Sequence, residues 1–203
     1  MPVNITKTTV AESLFDTFRK NMASGLLKSK TSNSILWLQR QAKAAVGINR
    51  RALVANAPSN TKLEIGSMYM FFYEALHDKT LQYWDRFPLV IPIEIYNDGF
   101  LGLNLHYLSP LTRAKFLDKL MDFRNTKGID EKTRLIMSYK LLTSASRYGP
   151  FKPCIKRYLS LQVQSNLLKV EPQDWSVAIF LPVEMFQKEK ARKVWKDSDQ
   201  QVS

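Results

Sequence analysis

The sequence predicts an α+β protein: an N-terminal α-hairpin, a small central antiparallel β-sheet or partly closed barrel, and C-terminal helices packed on it. Three observations carry this prediction. Apolar residues recur at three and four positions before residue 48 and again after Ser109, the spacing of a buried helix face. Between those regions lie aromatic and β-branched runs of strand length. Asn97-Asp98-Gly99 separates two of the runs and has the chemistry of a tight hairpin turn.

The first helix opens on a capping box, with Thr9 at the cap and Glu12 three residues on, placed to reach back to the cap nitrogen. Leu14, Phe15, Phe18, Met22 and Leu26 form its apolar stripe. Ser29 to Asn33 reads as a turn. A second helix then starts near Ser34, buries Ile35, Leu38, Ala42, Ala45 and Val46, and stops at Gly47. Residues 48–62 read as a linker, with Asn56-Ala57-Pro58-Ser59-Asn60 as the strongest loop signal.

The middle reads as β. Met68 to Tyr73 is an aromatic run bounded by Gly66, and Leu89 to Ile95 is β-branched. Pro92 in that second run must lie on an edge or at a bulge, because it has no N–H to give a ladder. Phe100 to Tyr107 is the return strand. Ser109-Pro110 then starts a helix with a cap followed by proline at its first position. Leu111, Ala114, Leu117, Leu120 and Met121 are its buried face, and Asp130 caps a further helix through Leu135, Ile136, Tyr139 and Leu142. A shorter helix is expected from Pro153 to about Val163, a final strand at Leu167 to Val170, and a polar extended tail from Phe186. The organisation is thus a basic helical arm and linker (1–62), an α+β core (63–185) and a tail (186–203).

The net charge of +12 is unevenly placed. Residues 1–62 hold ten Lys and Arg against Glu12 and Asp16, a net of +8. Residues 132–169 hold eight and no acid, a second +8, whereas residues 63–131 carry −3 and residues 170–203 carry −1. Two cationic blocks around a near-neutral module are the footprint of a protein that holds a polyanion. Contact with phosphates needs cations and no fixed spacing. The candidates for it are Arg40, Lys43, Arg50 and Arg51 in the first block, and Lys132, Arg134, Lys140, Arg147, Lys152, Lys156 and Arg157 in the second. A solvated face, or docking on an acidic protein, is the competing reading.

Catalytic signals are few. One cysteine, Cys154, excludes an internal disulfide and a cysteine-based zinc site, and two histidines exclude a histidine-rich metal site. No phosphate-cradling glycine loop, nucleophile elbow or zincin pattern occurs. His106 at a strand end reads as a structural histidine and His77 as an exposed turn residue. Glu74, Asp78, Asp85, Glu94 and Asp98 offer oxygens for magnesium, yet their spacing matches no nuclease motif. Tyr83-Trp84-Asp85-Arg86-Phe87-Pro88-Leu89 reads first as a core plug, with Asp85 and Arg86 fixing the turn, and second as a platform for stacked bases. No catalytic residue, metal or cofactor is therefore assigned. The N-terminus lacks a basic-then-apolar leader pattern, and no apolar stretch nears the ~20 residues of a membrane span. The expectation is an intracellular or particle-packaged protein with no membrane partner.

Four stretches in order carry a family resemblance: Gly66 to Tyr73, Leu81 to Leu89, Gly99 to Leu108 and Phe151 to Tyr158. From about Lys62 to Trp195 the chain resembles the DNA end protector, or head-completion, family of T-even-like tailed bacteriophages. The resemblance implies a non-catalytic virion protein that binds the ends of packaged double-stranded DNA, shields them from exonuclease and helps complete the head before tail joining. Its partners would be DNA ends and phage head, portal or neck proteins, and its location the virion, with host cytoplasm during assembly. The alternative is a neck or baseplate assembly protein that docks on acidic subunits without touching DNA.

Overall fold

The computed structural model describes residues 49–55, 57–113, 116, 149–171 and 174–201. The N-terminal α-hairpin and the helix through Tyr139 lie outside these residues.

Five strands form one open antiparallel sheet. They are β1 (Met68–Met70), β3 (Leu89–Tyr96), β4 (Gly99–Asn104), β5 (Ile155–Leu159) and β6 (Leu168–Val170), in the order β5-β4-β3-β1-β6. The outer strands β5 and β6 do not pair, so the sheet is not a closed barrel. A separate two-stranded sheet joins β2 (Trp84–Asp85) to β7 (Phe186–Gln187).

The β3–β4 hairpin follows the expected turn. Tyr96 pairs with Gly99, so Asn97 and Asp98 are the whole loop. Gly99 has φ +157°, and a Cβ there would lie 1.9 Å from the Tyr158 carbonyl oxygen, so only glycine fits. Pro92 lies in a central strand, and the register shifts between Pro92 and Glu94, which is the bulge its missing N–H requires.

Both sheet faces are covered, which explains why the strands read as continuous apolar runs rather than alternating ones. Met68, Met70, Leu89, Ile91 and Leu103 pack into the larger core. Tyr69, Phe71, Val90, Phe100 and Tyr158 alternate with them and form a smaller aromatic core on the opposite face. There the Phe71 ring meets Tyr158 edge-on at 5.5 Å, and Phe100 stacks on Tyr158 at 5.1 Å.

Helices close the larger core. Helix α1 (Arg50–Ala55) buries Leu53 and Val54, and the Asn49 Oδ1 caps it by accepting from the Arg51 and Ala52 N–H groups at 3.0 and 3.3 Å. This segment was expected to be linker. After β4, a 3₁₀ turn (Leu105–Tyr107) leads to Ser109, whose Oγ accepts from the Thr112 N–H at 3.4 Å and starts the expected helix at 110–113. Helix α2 (Trp175–Phe180) adds Val177, Ala178 and Ile179 to the core. Helix α3 (Ala191–Gln200) buries Val194, and its Trp195 indole N–H donates to the His106 carbonyl at 2.9 Å.

Two C-terminal expectations are corrected. The segment expected as helix from Pro153 to Val163 is a 3₁₀ turn (Gly149–Cys154), strand β5 and a second short turn (Ser160–Gln162). The tail expected to be extended contains β7 and α3. The expected final strand is present as β6.

Candidate nucleic-acid interface

The β2 strand and the end of β4 meet around a buried polar cluster. His106 Nδ1 lies 2.7 Å from Asp85 Oδ2. Asn104 Nδ2 donates to the same oxygen at 3.2 Å and to the Tyr158 hydroxyl at 3.0 Å. Asp85 Oδ1 accepts from the Phe87 and Met185 N–H groups at 3.1 and 3.0 Å. Burial acts to raise the Asp85 carboxyl, but attraction to His106 and the bonds from His106, Met185 and Asn104 outweigh it and hold the pKa below its ordinary value. Burial raises the Tyr158 hydroxyl well above the ordinary range. The cluster fixes the turn before β3, as the core-plug reading of Asp85 anticipates. His106 has an orienting carboxylate but is wholly enclosed, so it faces no substrate. The expected backbone partner of the ring is replaced by this carboxylate: among the described residues the imidazole has no hydrogen bond to backbone.

Two of the other carboxylates in the middle segment are also engaged. Glu74 pairs with Arg86 at 3.0 Å, and Asp98 pairs with Arg157. Among the described residues no three His, Cys, Asp or Glu side chains group as metal ligands. His77 is exposed in a turn, and its carbonyl accepts from the Thr80 and Leu81 N–H groups. Burial pushes the Cys154 thiol up to about 12, so it stays protonated in the core.

Of the basic candidates, Arg50, Arg51, Lys152, Lys156 and Arg157 are described; Arg40, Lys43, Lys132, Arg134, Lys140 and Arg147 lie outside the described residues. Four of the five line two depressions. The first, of about 700 Å³, takes Arg50 and Arg51 from α1, Arg86 after β2, and Phe72, Glu74 and Gln164 from the loops. Arg50 is also structural: its Nε donates to the Val183 carbonyl at 2.7 Å and its Nη2 to the Glu184 carbonyl at 3.2 Å. The second, of about 450 Å³, takes Lys156 and Arg157 from β5 with Tyr83, Trp84, Tyr107 and Tyr158. Tyr73 lines both, so residues from the two cationic blocks converge about one tyrosine. Lys152 lies apart, exposed in the 3₁₀ turn before β5.

The two cations of β5 differ. Arg157 is taken up by Asp98, by the Tyr158 carbonyl at 3.0 Å and by the Tyr96 ring, whose centroid is 4.3 Å from its guanidinium carbon. Lys156 Nζ stands 4.2 Å above the Tyr107 ring, and burial lowers its pKa. Among the described residues it has no hydrogen bond or ion pair.

Arg86 and Tyr73 are lining residues that no pattern in the sequence marks. The run Tyr83 to Leu89, which reads as one unit in the sequence, divides: Asp85 and Phe87 are buried, and Tyr83 and Trp84 line the second depression.

These features define a basic α+β protein with an open antiparallel sheet and two cation-lined depressions that share one tyrosine wall. A family model described as Phage T4 terminal DNA protecting protein matches residues 4–198, and the chain belongs to that family. The match bears out the resemblance carried by the four stretches and extends it over the N-terminal cationic block. No curated protein and no solved structure matches the chain. Among the described residues no helix is long and apolar enough to cross a membrane.

Proposed function

We propose that this chain binds and protects the ends of packaged double-stranded DNA in a phage particle and helps complete the head before the tail joins. It acts stoichiometrically and catalyses no reaction. The observation that carries this reading is the family match over residues 4–198. The net charge of +12 supports it, because a DNA-holding protein neutralises phosphates and releases their counterions. The placement of Arg50, Arg51 and Lys156 along concave surfaces supports it further. Head, portal or neck proteins are the expected protein partners, and assembly takes place in the host cytoplasm.

The test combines a gel-shift salt titration with an exonuclease challenge, on linear and on closed circular duplex. Each phosphate contact contributes a log–log salt slope of about −0.9, so Arg51, Lys152 and Lys156, the described candidates not held by a carbonyl or carboxylate, alone give about −2.7. A slope near zero overturns the polyanion reading. Equal affinity for linear and circular DNA, or unimpeded digestion of the linear form, overturns the end-protection reading.

A further inference from the structure

We propose that the depression between β5 and the Tyr83–Trp84 segment is a pocket for one unpaired terminal nucleotide, with its base among the aromatic rings and its phosphate on Lys156. The proposal rests on the DNA-end reading above and says how an end would be told from the interior of a duplex.

Three observations carry it. The depression is walled by the half-buried rings of Tyr83 and Trp84, with the buried Tyr107 and Tyr158 behind them, and its volume of about 450 Å³ lies within the range of about 300–1,000 Å³ typical of small-ligand sites. Aromatic walls bind any base through its π-face and need no sequence. Next, Lys156 is a half-buried cation with no anionic partner among the described residues. Asp85 also lines the depression, but both its oxygens are occupied by Phe87, Met185, His106 and Asn104, so it leaves Lys156 free for a phosphate. Finally, the Trp84 indole N–H is enclosed without a hydrogen-bond partner among the described residues, an unmet donor that a base edge would satisfy once the ring turns toward the depression. Exposed Leu76 and Leu81 complete the lining with apolar surface.

Geometry then supplies the selectivity. A base inside a duplex enters a concave pocket only after unstacking and unpairing, whereas an end base frays or is already single-stranded. The first depression, with Arg50, Arg51 and Arg86, would lie against the backbone leading to that end, since the two depressions share Tyr73.

The experiment uses the full chain and a short duplex carrying 2-aminopurine either at its terminal nucleotide or at its centre. The free 2-aminopurine deoxynucleoside monophosphate is a third probe. The terminal probe and the free nucleotide are expected to change fluorescence on binding, and the central probe is not. Lys156→Met and Leu81→Glu are expected to lower the preference for linear over circular duplex about tenfold, the scale of one lost base-stacking contact. Leu81 is exposed, so the second variant reports even if the first folds poorly. Duplex binding with no response of the terminal probe overturns the pocket and leaves end protection standing. Equal responses at end and centre, or variants with unchanged end preference, overturn it as well. Failure to bind either duplex overturns both readings.

Discussion

Asp85 and His106 form a closed pair: Oδ2 and Nδ1 are 2.7 Å apart, and neither side chain reaches solvent. The carboxylate also ties the β2 turn to Met185, a hundred residues on in the chain. Removing it leaves the N–H groups of Phe87 and Met185 and the His106 ring without an acceptor. Asp85→Ala is therefore expected to cost about 3–5 kcal/mol, the range for breaking a buried pair. The pH dependence follows from the lowered pKa. A depressed carboxyl stabilises the fold fully above its unfolded value, ordinarily 3.8, and that stability is lost as the pH falls through the folded value. Urea midpoints measured below pH 3.8 should fall for the natural protein and stay flat by comparison for Asp85→Asn. A matching acid dependence in both would show that Asp85 does not bear this charge.

Two glycines in the β3–β4 hairpin should respond differently to alanine. At Gly102 the new Cβ meets a Val90 methyl at 2.3 Å and the Ile91 carbonyl oxygen at 3.3 Å, so the buried Val90 side chain must shift within the smaller core. At Gly99 it meets the Tyr158 carbonyl oxygen at 1.9 Å, which is backbone held in the β4–β5 ladder. Gly102→Ala is expected to cost about 1–3 kcal/mol, the usual cost of overpacking, and Gly99→Ala more. Thermal melting of the two variants checks the order. The reverse order would mean that β5 yields more easily than the core around Val90.

Arg50 and Arg51 are adjacent in sequence and separable in role. Arg50 holds α1 to the carbonyls of Val183 and Glu184, whereas Arg51 is exposed and among the described residues its side chain makes no hydrogen bond or ion pair. Arg51→Ala should leave the melting temperature unchanged and reduce the magnitude of the DNA salt slope by about 1, as one lost phosphate contact does. Arg50→Ala should lower the melting temperature as well. If Arg51→Ala leaves the slope untouched, that cation does not meet DNA.

The legible parts of this fold are those set by local chemistry. Asn97-Asp98-Gly99 names its own turn, and Ser109-Pro110 its own helix start. The segment Pro153 to Val163 misleads because Ile155, Tyr158, Leu159 and Leu161 fall at helical spacing. What makes Ile155–Leu159 a strand is pairing with β4, more than fifty residues earlier, which no local pattern encodes. Asn49 falls in the stretch that reads as linker but is the cap of α1; six residues give too short a stripe to reveal the helix. The site divides in the same way. The two cationic blocks are visible as composition, but the meeting of residues 50–51, 86 and 156–157 about Tyr73 is a product of tertiary packing.

Helix α3 shows how a polar segment can hold a core together. Its sequence, Ala191–Gln200, has charged or polar residues at most positions, and only Val194 and Ser198, four apart, are buried. That single-turn spacing is too sparse to stand out as a stripe, yet it seats one face of the helix. Val194 is fully enclosed, the Trp195 indole N–H donates to the His106 carbonyl, and the Arg113 guanidinium carbon lies 5.5 Å from the Trp195 ring. Arg113 is itself buried and donates to the carbonyls of Leu108, Ile179 and His106, so the helix lids a polar knot beneath it. Val194→Ala is expected to cost about 2 kcal/mol from lost burial. Deleting the chain from Ala191 onward should cost more, because it also exposes Arg113 and frees the His106 carbonyl. Denaturant midpoints of the two variants test this. Equal midpoints for the deletion and the natural chain would mean that α3 is a passenger and that the knot around Arg113 is stable without it.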